Sequence, residues 1–301
     1  MNFNLQDAIA STSKQNYHNG LYIVALPIGN LADITLRAIY TLSIAHEIYC
    51  EDTRNTANLL NFFHIKNKKL LKLTDHENQE TINKITQSAQ DKIICIVSDA
   101  GTPLICDPGS NLISQATSKK INVYAIVGAS SVIASLCISG LDCSNFAFFG
   151  FFDKSKFQNY ISQDCVNFNG NFNKFIFFDN PKSLPKSINQ IANMLEDYNF
   201  KIKICLELTK LNERVLDFSK HEISQIPQNL KGELVCIIYD IVKVNKHLKQ
   251  TATSFVEDIC KQNAFIKNLS TKDKLEFIQK FYKNDIEEHN FSKKDLYNCF
   301  L

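Results

Sequence analysis

Residues 93–110 read IICIVSDAGTPLICDPGS, and this stretch points to the fold of the whole chain. The apolar run Ile93–Val97 predicts a buried strand, and Ser110–Thr117 can form a helix. Between them, Ser98–Gly109 holds two glycines, two prolines and two aspartates, a composition that favours neither element. Because strand-to-helix connections usually take about two to six residues, this one is long. We interpret it as a functional loop at the carboxyl end of a buried strand, where open α/β sheets place their ligands.

Further strand–helix pairs lie on both sides of this loop. Apolar runs predict strands over Leu21–Leu26, Ile48–Cys50, Leu70–Leu73 and Val123–Val127. Asp33 is the predicted N-cap of the helix after the first of these strands, and Asp52 or Thr53 of the helix after the second. Alternation of this kind predicts a parallel sheet with helices on both faces. The polar segments after the strands should therefore meet at one edge: Pro27–Asn30, Glu51–Arg54, Asp75–Asn78, Ser98–Gly109 and Gly128–Ser131.

The 301 residues exceed one compact core of ordinary size and predict two domains with an appendage. A polar lead-in, residues 1–20, precedes a first α/β domain over residues 21–143. A second α/β domain, residues 144–242, has a mixed sheet of its own. A polar linker over 243–252 leads to a small helical region, 253–301, in which Ser292 is a predicted N-cap. The predicted elements of the second domain are Phe146–Phe151, Phe175–Phe178, Ser183–Leu195, Ile202–Leu208 and Leu234–Tyr239.

Composition narrows the class of protein. The formal net charge is +2, so RNA binding would need a local basic patch, and a run of lysines at positions 66–72 is one candidate, although such runs are usually solvated. The 10 cysteines include no Cys-x-x-Cys pair, which favours reduced thiols over disulfides or zinc. The first 20 residues lack the apolar segment of a signal peptide, and no apolar run is long enough to cross a membrane. We therefore expect a cytoplasmic protein without a membrane segment or a metal.

Several common ligand motifs are missing. The chain has no Gly-x-Gly-x-x-Gly fingerprint for dinucleotides, no Gly-Lys-Ser/Thr phosphate loop and no Gly-x-Ser-x-Gly nucleophile turn. The predicted loops instead offer exposed backbone groups and carboxylates, with few cations. Such loops suit a ligand that carries an ammonium, a ribose and an adenine better than a polyphosphate.

A set of ordered motifs resembles one family. Leu21–Leu31 (LYIVALPIGNL) is similar to the opening of the tetrapyrrole methylase superfamily. Within it, Cys50–Arg54 (CEDTR) and Ser98–Gly109 resemble the motifs of the ribosomal RNA small subunit methyltransferase I family, and Glu207–Lys210 and Lys231–Glu233 fit its second domain. Several motifs in the right order form a far more specific signal than any one of them.

The resemblance covers about residues 20–240 and implies two α/β domains of the tetrapyrrole-methylase type with a cofactor cleft between them. It implies methyl transfer from S-adenosylmethionine to the ribose 2′-oxygen of a cytidine in small-subunit (16S) ribosomal RNA, by a homodimer. The Asp99–Ile105 loop should hold the methionine end of the cofactor. The implied cofactor contacts are Pro27, Asp99, Ala100, Gly101, Thr102, Pro103, Leu104, Ile105, Ser130, Ser131, Leu208 and Gly232.

The remaining candidates would face the acceptor. Asp52 and His76 are candidates to orient the hydroxyl or accept its proton, a role that contributes about 10²–10⁴-fold in rate. Their competing interpretations are helix capping for Asp52 and a loop hydrogen bond for His76. Arg54 can grip an RNA phosphate or form an internal salt bridge, and Glu51 can pair with Arg54 or Lys210. The RNA contacts that we predict are Asn30, Glu51, Thr53, Arg54 and Lys182.

Two other functions stay open. A methyltransferase acting on tetrapyrroles or another small molecule would share the fold, although the Glu-Asp-Thr-Arg motif and the helical tail disfavour it. A non-catalytic RNA-binding relative would fit the altered segment Asp179–Ser183, which lacks an arginine of the family pattern and offers only Lys182 in its place. The intact Asp99–Pro103 loop disfavours that second alternative.

Overall fold

The chain forms two compact units, Met1–Val242 and Lys243–Leu301, in a computed structural model. The structure describes residues 11–74, 77–162, 174–244, 252–263, 266, 269–282, 286 and 291–300. The larger unit contains two five-stranded sheets.

The first sheet is parallel throughout, with the strand order β3-β2-β4-β1-β5. Its strands are β1 (Gly20–Val24), β2 (Glu47–Cys50), β3 (Lys69–Lys72), β4 (Ile93–Val97) and β5 (Val123–Ile126). The helices that connect them are α1 (Leu36–Ile44), α2 (Thr53–Phe62), α3 (Gln79–Asp91) and α4 (Ser110–Ser118). Because β4 lies in the centre, the loop that follows it leaves from the middle of the sheet.

Alternate residues of β4 pack on opposite faces of this sheet. Cys95 and Val97 join a core cluster with α1 and α2, whereas Ile94 and Ile96 join another with α3 and α4. All five residues of β4 are buried, which is why the sequence shows an uninterrupted apolar run. The predicted two-sided parallel sheet is confirmed.

The second sheet is mixed and has the order β6-β7-β10-β8-β9. Its strands are β6 (Ala147–Phe151), β7 (Phe175–Asp179), β8 (Tyr198–Leu206), β9 (Arg214–Ser219) and β10 (Leu234–Lys243). One face packs against α6 (Lys154–Ser162) and α7 (Leu184–Met194), and the other against Val132 and Leu136 of α5 (Ser131–Ser139). Helix α5 therefore follows the first sheet in sequence but covers the second sheet.

Three local features differ from the sequence-based expectation. Asp33 does not cap α1: residues Leu31–Asp33 form a 3₁₀ turn, and Thr35 Oγ1 accepts the capping hydrogen bond from the Ala38 N–H at 3.1 Å. Strand β9 and helix α6 were not predicted, because polar residues interrupt the apolar pattern of both.

The smaller unit is helical where it is described. Helices α8 (Ala252–Gln262), α9 (Thr271–Phe281) and α10 (Lys293–Asn298) contribute side chains to one apolar cluster, with Ile278 and Leu296 fully buried. Ser292 caps α10 through a reciprocal pair of hydrogen bonds with Asp295, which confirms the predicted cap.

Candidate functional site

Two neighbouring cavities lie in the larger unit. The first, of about 360 Å³, is lined by loops of the first sheet and by the second sheet, and we name it the inter-sheet cavity. Its volume lies within the range of roughly 300–1,000 Å³ that is usual for small-molecule sites. Its lining consists of Ile28, Ala100, Gly101, Thr102, Ile105, Cys106, Asp107, Ser130, Ser131, Val132, Phe151, Phe178, Asp179, Asn180, Cys205, Leu208, Gly232, Glu233, Leu234 and Val235.

The second cavity, of about 440 Å³, lies against helix α2, and we name it the α2 cavity. Ile28, Ala100 and Glu233 line both cavities, so the two ligand-sized spaces adjoin each other. The lining of the α2 cavity consists of Leu26, Pro27, Ile28, Gly29, Leu31, Asn55, Thr56, Asn58, Leu59, Phe62, Ser98, Asp99, Ala100, Lys210 and Glu233.

The loop after β4 is fixed to its neighbours by backbone hydrogen bonds. Gly101 and Leu26 exchange two such bonds, at 2.9 and 3.1 Å, and the Thr102 hydroxyl donates to the Ala129 carbonyl at 3.0 Å. Gly101 has a φ of 74°, and a Cβ there would lie 3.2 Å from the Ile28 side chain. Glycine therefore allows the loop to reach the end of β1, and its backbone groups form a wall of the inter-sheet cavity.

Eight of the twelve predicted cofactor contacts line the inter-sheet cavity: Ala100, Gly101, Thr102, Ile105, Ser130, Ser131, Leu208 and Gly232. Pro27 and Asp99 line the α2 cavity instead. Pro103 and Leu104 line neither; Pro103 is buried, and Leu104 packs against the core cluster on the α3 side of the first sheet. The loop thus presents Ala100, Gly101 and Thr102 to the inter-sheet cavity, whereas Pro103 and Leu104 pack against the protein.

Asp179, the last residue of β7, has an unusual environment. Its Oδ1 accepts hydrogen bonds from the Asn180 N–H at 2.7 Å and from the Ser183 hydroxyl. Its Oδ2 is buried and has no hydrogen-bond partner within the described part of the chain, although Asp179 lines the inter-sheet cavity. A buried carboxylate oxygen without a donor is costly, so this site is suited to a ligand that carries one.

The charge of the two cavities is mostly negative. Lys210 is the one Lys or Arg among their lining residues, all of which the structure describes. Its Nζ lies 3.0 Å from both Glu207 Oε1 and Glu233 Oε2. Burial acts to lower the pKa of Lys210, but the two carboxylates outweigh it and raise that pKa. Lys210 is therefore a neutralised cation, and neither cavity has a positive charge free for an anionic ligand.

Asp52 fills the capping role that was its competing interpretation. It is the N-cap of α2, and its carboxylate accepts from the backbone N–H of Arg54 at 2.8 Å and from its guanidinium at 2.6 Å. These hydrogen bonds lower the pKa of Asp52 to about 2. The Asp52 backbone N–H in turn donates to Asp99 Oδ1 at 3.2 Å, and Asn55 donates to Asp99 Oδ2 at 2.7 Å. Two donors thus orient Asp99, which faces the α2 cavity.

The other predicted acceptor-side residues lie outside both cavities. Asn30 caps the 3₁₀ turn, Thr53 begins α2, and Arg54 is paired with Asp52. Glu51 and Lys182 are exposed. His76 lies outside the described residues. In the run of lysines at positions 66–72, Lys68 donates to the carbonyls of Ser43 and Ala45, and Lys69 pairs with Glu47. Two of the four lysines therefore make contacts that stabilise the first sheet and its helices.

Sequence reasoning missed a group of residues that line the cavities. Asp179 could have been found from its place at the end of a strand. Asn55, Asn58, Leu59 and Phe62 could have been found from their helical spacing after a recognised motif. Phe151, Phe178 and Val235 carry no local signal, because strand pairing in the second sheet brings them to the site.

Other kinds of site receive no support in the described residues. No three of their His, Cys, Asp and Glu side chains are placed to hold a metal ion. None of their helices combines the length and apolarity needed to span a membrane. The described cysteines are free thiols, and four of them, Cys50, Cys95, Cys205 and Cys236, are buried.

Comparison with solved structures supports the fold. A diphthine synthase superposes with a TM-score of 0.54 at 16% identity, covering 73% of this chain and 89% of that one. A cobalt precorrin-4 methyltransferase superposes with a TM-score of 0.52 at 12% identity, covering 73% of this chain and 94% of that one. A Thermus thermophilus uroporphyrin-III C-methyltransferase in complex with S-adenosylhomocysteine superposes with a TM-score of 0.50 at 12% identity, covering 73% of this chain and 97% of that one.

Comparison of sequences identifies the family. The family model of the Tetrapyrrole (Corrin/Porphyrin) Methylases matches residues 20–224. A Rickettsia prowazekii protein named ribosomal RNA small subunit methyltransferase I is 35% identical over 287 residues, which are 93% of this chain and 95% of that protein. A Halalkalibacterium halodurans protein of the same name is 38% identical over 222 residues, which are 72% of this chain and 75% of that protein. The chain therefore belongs to the ribosomal RNA small subunit methyltransferase I family of tetrapyrrole methylases, and it is a methyltransferase.

Proposed function

We propose that this protein transfers a methyl group from S-adenosylmethionine to the ribose 2′-oxygen of a cytidine in small-subunit (16S) ribosomal RNA. Its curated relatives are named for methylation of that RNA, and the sequence motifs add the cytidine and the 2′-oxygen. The observation that carries the proposal is the pair of adjoining cavities, one suited to a cationic cofactor and the other to an uncharged acceptor group.

The inter-sheet cavity suits S-adenosylmethionine, a ligand with an ammonium, a sulfonium and a carboxylate. Asp179, with its unpartnered Oδ2, and Asp107 supply negative charge for the cationic groups. The first turn of α5, at Ser131 and Val132, offers backbone N–H groups that suit the carboxylate. Leu208 and Val235 supply apolar surface for the adenine. When bound there, the cofactor supplies an electrophilic methyl group.

The task of the chain is to align the acceptor hydroxyl, because correct orientation alone can contribute about 7–11 kcal/mol to such a transfer. Ala100 and Ile28 line both cavities, so the acceptor hydroxyl in one cavity would meet the methyl group of a cofactor in the other at this shared border. Asp99 is the carboxylate best placed to accept a hydrogen bond from that hydroxyl, since it faces the α2 cavity and is held by Asn55 and the Asp52 N–H. We propose that Asp52 acts as a positioning residue for Asp99, and that His76 is a second candidate to accept the proton.

The charge of the cavities argues against a tetrapyrrole as the acceptor. Uroporphyrinogen-like substrates carry several carboxylates, which need several free cations. Lys210 is the single cation lining these cavities, and Glu207 and Glu233 neutralise it. A neutral nucleoside fits such a lining better. The complete cofactor cavity likewise argues against a non-catalytic RNA-binding relative.

The test is methyl transfer from radiolabelled S-adenosylmethionine to small ribosomal subunits, naked 16S RNA and a porphyrinogen, offered separately. We expect label in the ribosomal RNA, at a ribose that becomes resistant to alkaline cleavage. Label in the porphyrinogen alone would replace the proposal by the small-molecule alternative. No label anywhere, together with no heat of cofactor binding in calorimetry, would favour the non-catalytic relative.

We also propose that the protein acts in the cytoplasm, where its RNA substrate is assembled, and that it works as a homodimer. Exposed apolar side chains on and beside α5, at Val127, Ile133 and Ile138, support a second copy as the partner of this face. Light scattering of the purified protein tests the dimer, and Ile133→Lys should shift the measured mass toward that of the monomer.

A further inference from the structure

A stripe of side chains on α2 lines the α2 cavity, and Asn55 is the one member of this stripe that has a role in the proposed chemistry. Its members lie three, four and seven positions apart on α2, so they share one face of the helix: Asn55, Asn58, Leu59 and Phe62. The opposite face of α2 packs into the core through Leu60. The buried face therefore fixes the helix, and the stripe is presented to the cavity as a rigid surface.

Phe62 is the notable member of this stripe. Its side chain is 60% exposed, although it lines a cavity. Its ring contacts that of Phe63 edge to face, with 5.0 Å between centroids and 83° between planes, and Phe63 packs on the core of the first sheet. Single exposed aromatic residues are ordinary on protein surfaces. This one is braced from one side and borders the space next to the cofactor cavity, which is the arrangement of a stacking platform.

The amides of the stripe provide hydrogen bonds beside this platform. Asn58 is exposed, and its side chain makes no hydrogen bond to the described residues. Asn55 donates to Asp99, which leaves its carbonyl oxygen as an acceptor. An amide can both donate to and accept from the edge of a nucleobase.

The charged residues that line the α2 cavity indicate which part of a nucleotide it would bind. A phosphate would need a free cation, and Lys210 is held by Glu207 and Glu233. A planar, uncharged group with polar edges would meet the ring of Phe62, the aliphatic side chain of Leu59, and the amide of Asn58 with the carbonyl oxygen of Asn55. Unpaired bases of RNA are recognised by this combination of stacking and edge hydrogen bonds.

We propose that the α2 cavity binds the unpaired base of the target nucleotide, with Phe62 stacking on the base and Asn58 hydrogen bonding to its edge. The inference rests on the proposed RNA methylation, and it adds a pocket that receives the base once it leaves the RNA stack. With the base on Phe62, the ribose would lie toward Asp99 and the border with the inter-sheet cavity. Phe62 and Asn58 are then the residues that position the acceptor.

The experiment compares Phe62→Ala, Phe62→Trp and wild type on the same 16S RNA substrate. We expect Phe62→Ala to lower kcat/KM for RNA about 5- to 150-fold, the range that follows from loss of one base–aromatic stack. Phe62→Trp should restore most of the activity, because it restores a stacking face. Phe281→Ala is the matched control, since Phe281 is 63% exposed and lies in the smaller unit; its kcat/KM should equal that of wild type.

A second readout distinguishes three cases: the variant does not fold, the proposed function is wrong, or only the inference about the base is wrong. The cofactor affinity of Phe62→Ala, measured by calorimetry, should equal that of wild type. A fluorescent cytidine analogue at the methylated position should be quenched by wild type and not by Phe62→Ala. Normal methylation and quenching by Phe62→Ala would overturn the inference alone, as would a loss of activity that Phe62→Trp does not restore. A wild-type enzyme that methylates no RNA would overturn the proposed function and the inference with it.

Discussion

At the scale of single residues, a substitution at Asp52 distinguishes a structural role of this side chain from a catalytic one. We predict that Asp52→Asn keeps most of the turnover, because asparagine is as good an N-cap as aspartate and leaves the backbone N–H that holds Asp99. Steady-state kinetics at saturating cofactor test this prediction. If Asp52 were the general base, the same change would lower kcat about 10²–10⁴-fold.

Asp52→Ala and Asp99→Asn complete this comparison. Asp52→Ala removes the cap of α2 and should lower the melting temperature more than Asp52→Asn does. Asp99→Asn removes the carboxylate that faces the α2 cavity, and it should lower kcat far more than either change at Asp52. Equal kcat values for Asp99→Asn and wild type would rule out Asp99 as the residue that orients the hydroxyl.

Asp179 gives the second prediction at this scale. Asp179→Asn should weaken S-adenosylmethionine binding about 10- to 150-fold, since a charge-assisted hydrogen bond to a buried carboxylate contributes about 1.5–3 kcal/mol. Isothermal calorimetry measures the effect. The matched control is Asp240→Asn, because Asp240 is an exposed aspartate of the same sheet that pairs with Lys201 away from both cavities. Equal cofactor affinity of Asp179→Asn and wild type would contradict the assignment.

These residues also show what a sequence can reveal about a site. The loop after β4 could be predicted because a buried strand followed by glycines, prolines and aspartates is a local pattern. Eight of the twelve cofactor contacts that the family resemblance implies, four of them in this loop, line one cavity. The place of Asp179 at a strand end and that of Phe62 on one helix face could be predicted in the same way, but the properties that distinguish these two residues could not. Their importance comes from a missing hydrogen-bond partner and from exposure within a cavity, and tertiary packing decides both.

At the scale of secondary structure, a buried carboxylate connects three strands of the first sheet. Glu47 begins β2, is 7% exposed in its side chain, and lies 3.1 Å from the ammonium groups of both Lys69, the first residue of β3, and Lys92, which precedes β4. Tyr49 donates a further hydrogen bond to Glu47 at 3.3 Å. Burial acts to raise the pKa of Glu47, but the hydrogen bonds from Lys92 and Lys69 outweigh it, and that pKa lies below its ordinary value.

This network predicts a pH dependence of stability. Because the pKa of Glu47 is lower in the folded chain than its unfolded value of about 4.3, the network stabilises the fold above that pH and is lost as the pH falls through the folded pKa. At neutral pH, Glu47→Gln should lower the free energy of unfolding by about 1.5–3 kcal/mol, the contribution of hydrogen bonds to a charged group. In acid the difference from wild type should shrink. Urea unfolding followed by circular dichroism, repeated from pH 7 to pH 3, measures both effects.

Glu80→Gln is the control for this experiment, because Glu80 forms an exposed pair with Lys84 one turn away on α3. Exposed pairs contribute little, so its unfolding should follow that of wild type. A difference between Glu47→Gln and wild type that does not depend on pH would mean that packing of the side chain, and not its charge, stabilises the sheet.

The elements themselves were predictable to different degrees. The three inner strands of the first sheet, β1, β2 and β4, are buried on both faces, so each leaves an apolar run in the sequence that stands out from the polar loops. Strand β9 lies at the edge of the second sheet, where none of its residues is fully buried, and Arg214, Asp217 and Ser219 interrupt its apolar run. Helix α1 begins later than predicted because Asn30 caps a 3₁₀ turn first.

At the scale of the molecule, both cavities belong to the larger unit. Every residue that lines them lies between Leu26 and Val235, and both sheets are complete by Lys243.

We therefore predict that a chain ending at Val244 folds and binds S-adenosylmethionine with the affinity of the full-length protein, because removal of residues 245–301 leaves every cavity residue in place. Calorimetry measures the affinity, and methyl transfer to 16S RNA shows whether the smaller unit also contributes to substrate binding. Ile278→Asp in the full-length chain is the matched control: Ile278 is fully buried in the smaller unit, and a buried unpaired charge should unfold that unit alone. Truncated and Ile278→Asp proteins should then behave alike. If the truncated chain folds, as judged by circular dichroism, but no longer binds cofactor, the smaller unit must take part in the cofactor site, and the assignment of that site to the larger unit would be wrong.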